Sequence, residues 1–164
     1  HLPQGAPTSP ALANLAAWRL DVRLTGLADA FAARYTRYAD DLTFSGDAGF
    51  ARSSKSFLQH VSNIVEDEGY HLNPAKTRVM ASSMQQRVTG IVVNQHVNVA
   101  RKDYDRLKAI LHHCIHNGPD AQNREAVPDF KAHLDGRVMW VEQVNPPRGA
   151  KLRKLYNAIV WSAQ

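Results

Sequence analysis

The chain has 164 residues, 44% of them apolar, which is enough to bury a hydrophobic core. Its net charge of +5 and pI near 9.6 fit a polyanionic partner. A single cysteine, Cys114, excludes an internal disulfide, and no apolar run has the length of a bilayer span or the pattern of a secretory signal. The expected setting is a reducing cytoplasm, with no membrane partner.

The first ten residues, His1-Leu2-Pro3-Gln4-Gly5-Ala6-Pro7-Thr8-Ser9-Pro10, form a stiff loop with three prolines and a glycine. Such a loop can hold the Gln4 amide and the Gly5 backbone against a flat partner at small ordering cost. Ser9 suits an N-cap and Pro10 a first helical position, where the missing N–H is not needed. Leu12, Leu15 and Ala16 recur at helical spacing and predict a helix over residues 10–31 with one buried face, which Gly26 ends or interrupts.

Next come two strand-forming runs, Arg34-Tyr35-Thr36-Arg37-Tyr38 and Leu42-Thr43-Phe44-Ser45. Tyr38-Ala39-Asp40-Asp41 joins them as a hairpin tip. Two adjacent carboxylates repel, and each resists burial. A divalent cation removes the objection, because hard oxygens at a rigid turn are what Mg²⁺ accepts, with substrate phosphates completing its shell. That chemistry is two-metal phosphoryl transfer, with ions roughly 3.5–4 Å apart. The competing reading is a polar surface turn, where Asp is common.

Residues 50–68 predict a second helix, with Phe57, Val61, Ile64 and Val65 on one side and Gly69 as its stop. Residues 77–80 and 87–93 read as strands, and residues 97–99 as a short partner. The β signal vanishes after Ala100. Helices are expected over residues 102–116 and 129–144, and a third opens at Pro146 or Pro147. Their inward faces are Leu107, Ile110, Leu111 and Cys114; then Phe130, Leu134, Val138 and Val141; then Leu152, Leu155, Tyr156 and Ile159. Cys114 reads as core, and His112, His113 and His116 as solvated. Trp140 and Trp161 also read as core.

Charge is unevenly spread. Residues 1–100 carry nine Lys/Arg against eight Asp/Glu, whereas residues 101–164 carry eleven against seven. Arg148, Lys151 and Lys154 recur every three residues away from the apolar face. They read either as a solvated stripe or as phosphate contacts. The fold class is α+β: an antiparallel sheet on two helices over residues 1–100, then an all-α unit over residues 101–164.

These motifs, in order and spread over nearly the whole chain, resemble the back half of a reverse transcriptase. Leu2-Pro3-Gln4-Gly5 through Ser9-Pro10 is similar to the family's motif B, and Tyr38-Ala39-Asp40-Asp41 to its catalytic motif C. Gly69-Tyr70-His71-Leu72-Asn73 with Lys76-Thr77 is similar to motif D, and residues 86–93 fall where the family has its next hairpin. Val88-Thr89-Gly90 and Val144-Asn145-Pro146-Pro147-Arg148-Gly149-Ala150-Lys151-Leu152 look most like bacterial retron enzymes.

The resemblance implies part of a right-hand polymerase palm over residues 1–100, followed by a helical thumb over residues 101–164. It implies an RNA-directed DNA polymerase of retron type, acting on structured RNA template and primer, RNA–DNA hybrid and dNTPs in bacterial antiviral defence. Asp40 and Asp41 are then ligands of two Mg²⁺ ions, which Mn²⁺ can replace. Tyr38 and Ala39 flank the primer end, Gln4 and Gly5 meet template and incoming nucleotide, and Lys76 approaches the leaving pyrophosphate. Arg148, Lys151 and Lys154 are the candidates for RNA contact.

The family's third catalytic aspartate precedes motif B. Asp21, Asp29 and Asp47 do not replace it, so the missing N-terminal part of the same protein is an expected partner. The chain begins at His1 and reads as part of a longer protein, inactive alone. A group II intron-like reverse transcriptase and a non-catalytic nucleic-acid-binding module stay open as alternatives.

Overall fold

The computed structural model describes Pro3 and residues 5–161. Two compact units divide the chain, one ending at Met84 and the other beginning at Gln85. Among the described residues no helix is long and apolar enough to cross a membrane.

The first unit contains helices α1 (Ser9–Ala16) and α2 (Trp18–Ala30), strands β1 (Arg34–Tyr38) and β2 (Asp41–Ser45), and helix α3 (Ala48–Asp67). The expected single helix over residues 10–31 is therefore two. It breaks at Ala17, whose φ and ψ are −85° and 2°, and Gly26 lies uninterrupted inside α2. The expected buried face of Leu12 and Leu15 is also corrected: both are exposed, and the inward stripe is Leu20, Leu24 and Ala28 of α2. Ser9 is the first helical residue rather than the cap. Thr8 holds the cap position, and the Ser9 hydroxyl donates back to the Pro3 carbonyl at 2.7 Å.

Helix α3 closely follows its predicted span. Asp47 caps it by accepting from the Gly49 and Phe50 N–H groups, satisfying donors that the first turn leaves free. Phe57, Val61 and Val65 turn inward against Leu20 and Leu24. Phe57 is the hub, meeting Phe31, Phe44 and Phe50 edge-on with ring centres 5.2, 4.8 and 4.8 Å away. Residues 77–80, expected as a strand, do not form one. They follow a turn in which Thr77 bonds back to Asn73, and Val79 is exposed.

The second unit starts with strands β3 (Arg87–Val88) and β4 (Ile91–Val92), followed by helices α4 (Arg101–Asn117), α5 (Phe130–Val144) and α6 (Pro146–Asn157). Residues 87–93 are thus not one strand but a hairpin, the form the family resemblance implies there. Its turn, Thr89-Gly90, has positive φ at both positions, +46° and +89°, as in turns whose twist matches that of the strands. The expected partner at residues 97–99 is a single bridge, Val92 to Asn98. The two sheets stay separate two-stranded pairs, where one antiparallel sheet was expected.

The helical core joins Leu107, Leu111 and Cys114 of α4, Leu134, Val138 and Val141 of α5, and Leu152 and Tyr156 of α6, with Ile159 beyond it. Val99 belongs to this core too. Asp129 and Asn145 cap α5 and α6. His112, His113 and His116 are exposed. Trp161 packs on the core beside Tyr156, but Trp140, expected inside, is 49% exposed.

Candidate active site

The acidic pair stands on the tightest turn of the first unit. β1 and β2 pair antiparallel from Arg34↔Ser45 to Tyr38↔Asp41, leaving only Ala39 and Asp40 as the loop. Ala39 sits at φ +51°, in the left-handed region. Asp40 therefore occupies the turn, Asp41 opens β2, and both are exposed. Neither carboxylate has a hydrogen-bond or ion-pair partner among the described residues.

This donor set fits a hard divalent cation: carboxylate oxygens on a short loop, not engaged by any protein cation. The fit is partial. Among the described residues no group of three or more His, Cys, Asp or Glu side chains is placed to hold a metal ion, so the pair supplies only part of a cation's shell.

Strand alternation sorts the neighbours. Tyr35 and Arg37 face inward, whereas Arg34, Thr36 and Tyr38 face outward. Tyr35 stacks on Phe44 with ring centres 5.1 Å apart. Tyr38 is 71% exposed beside the turn.

Arg37 makes a network that sequence reasoning missed. Its Nε and Nη2 donate to the two oxygens of Asp21 on α2 at 2.8 and 2.6 Å, and its Nη1 donates to the Ala39 carbonyl at 3.0 Å. The Tyr35 hydroxyl adds a third donor to Asp21 at 2.7 Å. The Arg37 bonds, with help from Tyr35, hold the Asp21 carboxyl below the usual carboxylate range. Burial, and then the Asp21 carboxylate, push the Tyr35 phenol well above its ordinary value. A shallow cleft lined by Asn14, Trp18, Asp21, Tyr35, Thr36 and Arg37 runs beside this network. The sequence did hold a signal: an arginine at an inward strand position needs a buried or half-buried acid.

The remaining expected site residues are dispersed. Gln4 lies outside the described residues. Gly5 is exposed at φ +82° in the loop before α1. Lys76 is exposed in the turn that Asn73 builds by accepting from the Ala75 N–H, and no described hydrogen bond or ion pair links it to the hairpin.

The basic stripe on α6 divides. Lys151 and Lys154 are exposed, whereas Arg148 is half-buried, lying 5.0 Å over the Tyr104 ring and donating to Asn98 at 3.3 Å. Arg153, not part of the stripe, is taken up by Glu142 at 2.8 and 3.0 Å and by Asp135.

Comparison with known proteins gives the family. The family described as reverse transcriptase (RNA-dependent DNA polymerase) matches residues 1–108, covering the loop, the acidic hairpin and α3, and reaching into α4. The chain is 44% identical to the retron Mx65 reverse transcriptase of Myxococcus xanthus over 92% of its own length and 33% of the relative's. It is 36% identical to the retron Mx162 reverse transcriptase of the same organism, over 90% of this chain and 32% of that one. Against the retron Ec86 reverse transcriptase of Escherichia coli the identity is 41%, over 70% and 35%. The chain thus spans about a third of the length of these curated relatives. With its first two-thirds matched to the family and its hairpin carrying an unpartnered acidic pair, the chain belongs to the reverse transcriptases.

Proposed function

We propose that this chain supplies the acidic turn and a helical nucleic-acid grip of a retron-type RNA-directed DNA polymerase. The observation that carries the proposal is the Ala39-Asp40 turn, which exposes two neighbouring carboxylates with no donor to neutralise them among the described residues. The retron reverse transcriptase relatives support RNA-directed DNA synthesis, and the substrates proposed with it are structured RNA as template and primer, with dNTPs.

Asp40 and Asp41 would hold Mg²⁺ or Mn²⁺, with a further carboxylate from outside this chain. When bound there, the metal supplies charge neutralisation at the triphosphate and acidifies the attacking hydroxyl. Everything else is the protein's own work. Tyr38 stands exposed at the strand end, where it can meet the primer, and the small Ala39 leaves the turn open to nucleic acid. Gln4, which lies outside the described residues, and Gly5 are the proposed contacts to the template and incoming nucleotide, and Lys76 would offer a cation or proton to the leaving pyrophosphate. Lys151 and Lys154 contact phosphate, which adds affinity and salt dependence more than sequence information. In this proposal residues 1–100 are part of the palm and residues 101–164 the thumb.

Two arms test the proposal. In the longest natural polypeptide containing this sequence, Asp40→Asn abolishes Mg²⁺-dependent primer extension while RNA binding persists; extension that survives rejects the metal role. The 164-residue chain alone is expected not to extend a primer, because among the described residues no third acid joins Asp40 and Asp41. Robust dNTP incorporation by it overturns that part.

A further inference from the structure

We propose that Arg37 is a positioning residue for the acidic turn, tying α2 to the peptide from which Asp40 projects. The inference rests on the metal-binding reading of Asp40 and Asp41, and it assigns a second task to what otherwise looks like a salt bridge holding a strand to a helix.

The geometry separates the two tasks. A bidentate pair between Arg37 and Asp21 is sufficient to anchor β1 on α2, and it uses Nε and Nη2. The remaining terminal nitrogen, Nη1, goes elsewhere, to the Ala39 carbonyl at 3.0 Å. That oxygen belongs to the same planar peptide as the Asp40 N–H. The Tyr38↔Asp41 pair fixes the two ends of the loop. The bond from Arg37 fixes the rotation of the peptide between them, and with it the direction in which the Asp40 side chain leaves the backbone.

The turn needs such a device. Ala39 is held at φ +51°, a conformation that costs an L-residue about 1–2 kcal/mol, so local preference opposes it. Neither acid has a partner of its own among the described residues. The clamp is stiff: Asp21 is a residue of a regular helix, accepts from Tyr35 as well as from Arg37, and the Arg37 side chain is only 11% exposed. A planar, five-donor guanidinium makes the bidentate pair with the acid and the bond to the carbonyl in fixed directions, a fork that an ammonium on a flexible stem does not reproduce.

The test uses the longest natural polypeptide containing this sequence, assayed for primer extension on an RNA template, with thermal unfolding measured alongside. Arg37→Lys keeps a cation facing Asp21 but does not reproduce the fork. It is expected to lower kcat by about 10- to 100-fold, the scale of a misplaced reacting group. It should also raise the Mg²⁺ concentration for half-maximal rate and leave the dNTP KM within about twofold. Wild-type kcat and wild-type Mg²⁺ demand in a folded Arg37→Lys variant overturn the proposal.

If that variant does not fold, the exchange Asp21→Arg with Arg37→Asp restores the ion pair without a donor to the Ala39 carbonyl. Recovered stability with low kcat supports positioning, and recovered kcat overturns it. Asp40→Asn separates the two layers. Loss of synthesis in Asp40→Asn beside an indifferent Arg37→Lys sinks only the role of Arg37, whereas synthesis surviving in Asp40→Asn sinks the metal reading and this inference together.

Discussion

Adding one methyl group at Gly149 should destabilise the three-helix unit, whereas the same change at Gly136 should stabilise it. Gly149 lies in the first half of α6, where that helix crosses α5. A Cβ built there falls 2.3 Å from the Glu142 Cα and 2.6 Å from the Glu142 backbone nitrogen, far inside the ordinary contact range that begins at 3.4 Å. The obstacle is backbone, which cannot rotate aside, so α5 and α6 must part by about 1 Å (3.4 minus 2.3). A gap of that size forfeits roughly a quarter to a half of the dispersion well across the interface. Here the interface joins Leu134, Val138 and Val141 to Leu152 and Tyr156. It also stretches the pairs between Arg153 and Glu142. Overpacking of this kind costs up to about 3 kcal/mol, and replacing a helical glycine by alanine returns about 1 kcal/mol. The net for Gly149→Ala is a loss of about 2 kcal/mol. Gly136, inside α5, has nothing within 4 Å of its Cβ position and keeps only the propensity gain of about 1 kcal/mol. Urea unfolding followed by tryptophan fluorescence, in a Trp18→Phe background so that Trp140 and Trp161 report, measures both. With a slope of about 1–2 kcal/mol/M the two midpoints should lie more than about 1 M apart, on opposite sides of the parent. A Gly149→Ala midpoint at or above the parent's would refute the close-packed crossing.

Three other changes probe separate features. Thr89→Asn should raise the melting temperature of the second unit by a few degrees. Asn tolerates the left-handed φ of +46° that a β-branched residue resists, and Asn-Gly is the preferred pair for this turn; an unchanged or lower melting temperature counts against the turn geometry. The second concerns acid. Hydrogen bonds from Arg153 hold the Glu142 carboxyl below its ordinary value, so its contribution is complete above the unfolded-state pKa and is lost as pH falls through the folded one. Urea midpoints measured from neutral pH downward should therefore drop below about pH 4.5, and more gently in Glu142→Gln; equal slopes would remove that linkage. In the third, Lys151→Ala with Lys154→Ala should weaken RNA binding and reduce the salt slope by about 0.7–0.9 per lost contact, with thermal stability unchanged. Arg148→Ala should weaken binding and also destabilise the unit, because Arg148 packs over Tyr104. A binding isotherm unaffected by the double substitution returns those lysines to a solvated face.

Helices α3, α4, α5 and α6 are legible in the sequence because each buries one stripe in a core that lies within its own unit. Periodicity at 3.6 residues is then the whole signal, and Phe57/Val61/Val65 or Leu134/Val138/Val141 report it directly. Leu12 and Leu15 carry the same periodicity, yet they stand exposed on α1. A pattern records that a face wants cover, not what covers it. Residues 77–80 fail for a related reason: strand propensity becomes a strand only within a ladder, and this stretch follows the Asn73 turn without entering either hairpin. At residues 87–93 the β-branched run hides a turn, because Thr89 adopts a left-handed conformation that its residue type disfavours.

The candidate site divides along the same line. A doubled aspartate between two strand-forming runs is a local pattern, and the hairpin places Asp40 and Asp41 at the tip with no further information needed. What holds that tip is non-local. Asp21 and Arg37 are sixteen residues apart on different elements, and only period-two alternation in β1, which sends Tyr35 and Arg37 to the same inward face, hints that the arginine must meet an acid. The same reasoning separates Arg148 from Lys151 and Lys154. All three share a spacing, but one has an aromatic ring beneath it and the others have solvent. Spacing selects a helix face, and the partner across from that face decides whether a cation there meets solvent alone or is also packed into the fold.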